Sequence, residues 1–300
     1  MEIVPFGGWE RCAKLTAGRV EIVVTLEVGP RVLYLGLTGG PNELHVNAKD
    51  AGVRGGSEYH SFGGHRLWVA PEDLVKTYTP DNEPVEHYED GPWHVFMNQT
   101  DAFGIRKEYR IIPDADEERF RLVHRVHNLG TDEVTLAPWC LTVMAAGGEC
   151  FIPQHPFVSH SDRLLPTRPL VLWGYTRMDD PRWTWGSRVI RLRQDKAGPQ
   201  KIGSLVQQGA AAYLNHGNLF LKRFPFDEKA EYPDFGCNFE TFTREDMLEV
   251  ESLGGLQRLA SGEYVELAET WYLIPDQAAP ADDTACGDWL DALIDDHPFV

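Results

Sequence analysis

Apolar and polar positions alternate with period two through most of this chain, a pattern that predicts β-strands. Short apolar runs at 14–16, 20–26 and 32–37 are broken by Gly18 and by Gly29-Pro30. Strand patterns return at 93–99, 105–112, 120–127 and 134–144, with turn residues at 114–118 and 128–132. Further runs follow at 189–193, 204–206, 211–215 and 219–224, the last two joined by the hairpin turn His216-Gly217-Asn218. Three more lie within 235–273. Two stretches, about 39–92 and 145–188, are rich in turn residues and lack periodicity, so they read as long irregular excursions of the functional kind. Only the end of the chain shows the helical period. Cys286, Trp289, Leu290, Ala292 and Leu293 form a stripe over about 282–296, with Asp282 or Asp283 as N-cap. No repeat or linker divides the chain. The expectation is one all-β domain over 1–300, an antiparallel sandwich with the C-terminal helix outside a sheet.

Charges inside the strand patterns carry the candidate chemistry. In 247–252, Met247, Glu249 and Glu251 share one face, with Leu248 and Val250 on the other. Acids side by side on a sheet face repel and need water, a cation or a ligand. Lys222 falls in line with Phe220 and Phe224, Asn238 and Glu240 with Phe242, and Glu269 with Leu267, Trp271 and Leu273. A solvated face, or one structural ion pair such as Lys222–Glu269, accounts for any single case. Several on neighbouring strands point to a site, because unpaired buried charge costs several kcal/mol.

Bulk properties narrow the partners. Lys plus Arg number 28 against 46 Asp plus Glu, a net charge of −18 that disfavours nucleic acid and anionic membranes. Five cysteines without C-x-x-C spacing fit neither a disulfide framework nor a structural zinc site. The N-terminal residues lack the pattern of a signal peptide, and no apolar run reaches the roughly 18 residues of a membrane span, so the chain is expected in the cytoplasm. His60, His65 and Glu72 are loosely spaced and form no H-E-x-x-H, and no G-x-S-x-G or phosphate-binding loop occurs, so no metal or cofactor is expected. Aromatic residues beside acids and amides suit a sugar, whose C–H faces stack on rings while its hydroxyls meet carboxylates. Trp68 and Trp139 lie in or beside the irregular regions. Oligomeric state is not legible.

The order of several phrases resembles the galactose mutarotase-like (aldose 1-epimerase) superfamily. They are GGHRLWVAPE from Gly63, APWCLTVM from Ala137, KIGS from Lys201, FLKRF from Phe220, YPDFGCNFETFT from Tyr232, LEVESLGGL from Leu248, then SGE and ETWYL. The resemblance implies a β-supersandwich with a sugar site on its larger sheet, and cofactor-free interconversion of sugar anomers. It makes Glu251 the general base, with Glu249 the neighbouring alternative, and matches Arg66 to an arginine that touches sugar hydroxyls. It also exposes a departure: the strand that carries the family's acid histidine reads Ala137-Pro138-Trp139-Cys140-Leu141 here. His65 is the first replacement for the acid, with Lys222 and Lys201 behind it. Trp68, Glu72, Trp139, Lys201, Asn238, Glu240, Glu249 and Glu269 complete the expected pocket. Proton abstraction beside a carbonyl, as in a lyase or isomerase, and non-catalytic sugar binding are the alternatives.

Overall fold

A computed structural model describes all residues, Met1–Val300. The first strands are β1 (Glu2–Phe6), β2 (Trp9–Ala17), β3 (Val20–Thr25), β4 (Arg31–Leu37), β5 (His65–Ala70), β6 (Glu86–Asp90) and β7 (Trp93–Met97). The middle of the chain forms β8 (Ile105–Asp114), β9 (Arg119–Asn128), β10 (Val134–Ala145), β11 (Glu149–Pro153), β12 (Leu170–Leu172), β13 (Trp183–Trp185) and β14 (Val189–Arg193). The rest are β15 (Gln200–Ser204), β16 (Ala210–Asn215), β17 (Asn218–Arg223), β18 (Phe239–Arg244), β19 (Met247–Leu253), β20 (Gln257–Leu259) and β21 (Tyr264–Ile274). The helix α1 (Asp283–Asp296) follows. An eleven-stranded sheet runs β1-β2-β3-β4-β5-β10-β19-β18-β15-β12, with β20 beside β10, and a ten-stranded sheet runs β13-β14-β11-β16-β17-β21-β9-β8-β7-β6.

The sheets face each other across one apolar layer. Leu67, Cys140, Leu248 and Val250 from the larger sheet meet Tyr109, Leu122, Phe220 and Trp271 from the smaller. On the far side of the smaller sheet, Leu219, Leu221 and Tyr272 receive Cys286, Leu290 and Ile294 of α1. The helix starts at Asp282, whose side chain accepts from Ala285 N at 3.0 Å, as its capping role predicts. Ala292, assigned to the apolar stripe, is exposed, and Ile294 takes the buried position. No helix is long and apolar enough to cross a membrane.

Both supposed excursions contain strands. β5 and β6 lie within 39–92, and β11, β12 and β13 within 145–188. β5 escapes a periodicity search because both of its faces are buried: His65 and Leu67 point inward, Arg66 and Trp68 outward. Gly64 makes its entry possible at a φ of +68°; a Cβ there would sit 2.2 Å from the Val32 carbonyl oxygen.

Alternation along the strands sends three expected site residues between the sheets. Lys222 and Glu269 are fully buried and pair at 2.9 Å. Lys222 Nζ also donates to Cys140 O at 2.9 Å, Thr142 Oγ1 at 3.1 Å and Val250 O at 3.2 Å, tying the smaller sheet to the larger. Ser252 and, at 2.7 Å, Trp271 Nε1 donate to Glu269. His65 shares a proton with His124 across 2.7 Å between their Nε2 atoms and bonds Thr142 through Nδ1 at 2.9 Å; His124 Nδ1 reaches Leu267 O at 3.0 Å. Burial and neighbouring positive charge hold His65 well below its usual pKa. These groups are saturated and have no contact with solvent. The roles expected for His65 as acid, Lys222 as catalytic group and Glu269 as ligand contact are therefore corrected; all three brace the core.

Replacing Lys222 by Met strands the Glu269 carboxylate, and urea unfolding should show a loss of about 3–5 kcal/mol. The double replacement Lys222→Met with Glu269→Gln should recover most of it. Equal losses in the single and double variants would contradict the pairing.

Candidate functional site

The outer face of the larger sheet carries a cleft of about 660 Å3, within the range of small-molecule sites. Its floor follows from strand register. Leu141 on β10 lies between Arg66 on β5 and Glu251 on β19, and Trp139 lies between Trp68 and Leu253. One strand further, Glu251 opposes Glu240, and Glu249 opposes Phe242 on β18. Lys201 on β15 comes next, opposite Phe242. Outward positions on five adjacent strands thus converge.

Of the expected residues, Arg66, Trp68, Glu72, Trp139, Lys201 and Glu249 line the cleft. Arg66 Nη2 donates to Glu249 Oε1 at 3.0 Å, and its guanidinium lies 4.2 Å from the Trp68 ring centroid. The aromatic wall continues as Trp68 meets Trp139, Tyr59 and Tyr78 at 5.1–6.2 Å between centroids. Glu72 stands at the mouth, accepting from Tyr78 OH at 2.5 Å. Asn238 is used otherwise: it accepts from Val206 N at 2.7 Å and donates to Val206 O at 3.0 Å, a structural clasp rather than a ligand contact.

Glu251 and Glu240 share this sheet face but are covered and fully buried, so they do not line the cleft. Trp139 Nε1 donates to Glu251 Oε2 at 2.7 Å, and Lys201 Nζ is 3.5 Å from that oxygen and 2.7 Å from Glu240 Oε2. Burial pushes Glu251 up to about 7, with the Glu249 charge adding and Lys201, Trp139 and Arg66 opposing. Burial drives Glu240 well above the carboxylate range against the pull of Lys201. Burial lowers the Lys201 ammonium, but the two carboxylates outweigh it and keep it charged.

Sequence reasoning missed His45, Tyr59, Tyr175 and Phe242, which also line the cleft. His45 N donates to Val143 O, and Val143 is the cross-strand partner of Glu249, so His45 and Glu249 flank one residue of β10. Burial lowers the His45 pKa, countered by Asp246 and Glu249. Two isolated bridges, Leu44 with Met144 and Val46 with Gly63, fix that segment, and no periodicity announces it. The loosely spaced His60, His65 and Glu72 do not meet: His60 pairs with Asp50 at 2.9 Å, and His65 is interior.

No family model matches the chain, and no curated protein does. Solved structures do. A galactose mutarotase-like protein from Lactobacillus casei ATCC 334 aligns with a TM-score of 0.59 and 11% identity, over 87% of this chain and 99% of that one. A galactose mutarotase related enzyme from Lactobacillus acidophilus gives 0.57 and 9%, over 89% and 98%. A candidate aldose 1-epimerase from Escherichia coli K12 gives 0.56 and 12%, over 88% and 99%. The architecture is the galactose mutarotase-like β-sandwich, as the resemblance implied.

The raised Glu251 pKa has a consequence for stability. The folded state keeps a proton that the unfolded chain releases from 4.5 upward, so this group makes stability fall as pH rises from about 4.5 to about 7. The size is about 3 kcal/mol. Glu251→Gln should flatten that part of the urea-unfolding profile, and an unchanged slope would contradict the assignment.

Proposed function

We propose that the protein is a carbohydrate-active enzyme of the aldose 1-epimerase kind, interconverting sugar anomers by acid/base chemistry without a cofactor. The observation that carries this reading is a cleft with an aromatic wall, a floor of paired charges, and two titratable groups, Glu249 and His45, on either side of Val143. A sugar's C–H face packs on Trp68 and Trp139, while Arg66, Lys201 and Glu72 meet its hydroxyls. Ring opening requires a base for the proton of the anomeric hydroxyl and an acid for the ring oxygen. In this reading Glu249 takes the first proton and His45 supplies the second. Reclosure from the other face of the carbonyl reverses both transfers, so no proton is gained or lost overall. Glu251, the base by resemblance, lies beside Glu249, two residues along the same face of β19.

A second reading, non-catalytic sugar binding, has support in the closed Arg66–Glu249 pair, which gives a ligand a preformed floor without a free base. Exchange spectroscopy by NMR on a panel of aldoses separates the two. The enzyme reading expects accelerated anomer exchange that falls about 100-fold or more in Glu249→Gln while binding persists. Absence of acceleration with every aldose, alongside saturable binding, would leave only the second reading.

A further inference from the structure

On the sheet face that carries the cleft, neighbouring strands set two glutamates side by side. Glu240 and Glu251 are direct cross-strand partners and fully buried. Side chains so placed have Cβ atoms about 5 Å apart. One cation serves both: Lys201 Nζ lies 2.7 Å from Glu240 Oε2 and 3.5 Å from Glu251 Oε2. The next cation, Arg66, is committed to Glu249 at 3.0 Å. Hydrogen-bond donors are scarcer still. Trp139 serves Glu251 Oε2 and Lys201 serves Glu240 Oε2, but the second oxygen of each carboxyl, Glu251 Oε1 and Glu240 Oε1, receives no hydrogen bond.

The cluster is shut from above. Lys201 Nζ lies 4.8 Å from the Trp139 ring centroid and 4.6 Å from that of Trp173, which comes from the chain ahead of β15. Gly203, opposite Glu240, leaves the space for this: a Cβ there would lie 3.4 Å from Trp173 Cη2 and 2.5 Å from Cys237 Sγ. The other titratable groups whose fields reach the pair are Asp234, Cys237, Tyr175 and Glu249. None of these brings positive charge; Arg66, paired to Glu249, is the further cation whose field lowers Glu251.

We propose that Glu240 and Glu251 hold one proton between them at neutral pH, which makes Glu240 a positioning residue that sets the charge on Glu251. Two carboxylates and one proton carry −1, and Lys201 brings the cluster to zero. With both carboxylates ionised, a net charge would sit uncompensated at zero exposure, which proteins avoid by keeping the proton. The geometry leaves a place for the proton on either residue, since Glu240 Oε1 and Glu251 Oε1 are both buried without a partner. The upward pKa directions of both groups agree. With the proton on Glu240, the negative charge lies on Glu251, two residues along β19 from Glu249. The effect on turnover rests on the proposed function; the shared proton does not.

Infrared and 13C NMR titration of protein labelled at the glutamate carboxyl carbon tests this between about pH 4 and 9. Wild type should show one buried carboxyl still protonated near neutral pH. Glu240→Gln should lower the midpoint of Glu251 by about one unit or more, and Glu251→Gln should do the same to Glu240. Where anomer exchange is measurable, its pH profile should move with the Glu240→Gln midpoint. Wild type without a protonated buried carboxyl, or an unmoved midpoint in either folded variant, would overturn the proposal. If no aldose is turned over, the function proposal fails while the carboxyl titration still decides this one.

Discussion

Pairing β10 with β19 puts buried charge on both faces of one ladder, and each charge must be neutralised without water. Toward the smaller sheet, Ser252 and the carbonyls of Cys140 and Val250 engage the Lys222–Glu269 pair. Toward the cleft, Glu249 faces Arg66, and Glu251 shares Lys201 with Glu240. The two layers differ in kind. The inner one is saturated, every carboxylate oxygen having its donor. The outer one is short of donors and has one acid more than its cations can balance. The first arrangement makes a rigid core, and the second leaves chemistry available.

This difference explains the division of labour along β19. Residues of one parity lock the sandwich, while those of the other parity supply the cleft and the covered carboxyl beside it. Arg66 and Trp68 arrive from β5, Trp139 from β10 and Lys201 from β15, so the site depends on the same hydrogen-bonded register as the fold. A rigid ladder holds all of them. His45 and Glu72 come instead from segments outside the strands.

Much of the architecture was legible because period-two alternation marks half-buried strands well. The acid-bearing face of β19, the Lys222–Glu269 alignment and an N-cap at Asp282 or Asp283 all follow from residue spacing. β5 was hidden, since a strand buried on both faces shows no alternation. That same double burial misdirected the choice of acid. His65 and Arg66 are adjacent in sequence and therefore point to opposite faces, so a loop reading kept together two residues that a strand separates. His45 gives no signal, because its position is set by isolated bridges on either side of it rather than by a pattern.

The proposed sugar site is the outer face of the larger sheet, with its aromatic wall and paired charges. Saturation-transfer difference NMR on a panel of aldoses, comparing wild type with Trp68→Ala, addresses it most directly. The account predicts transfer to the ring C–H protons of at least one aldose in wild type and its loss in the variant. Absence of transfer with every sugar, or transfer that Trp68→Ala leaves unchanged, would contradict it.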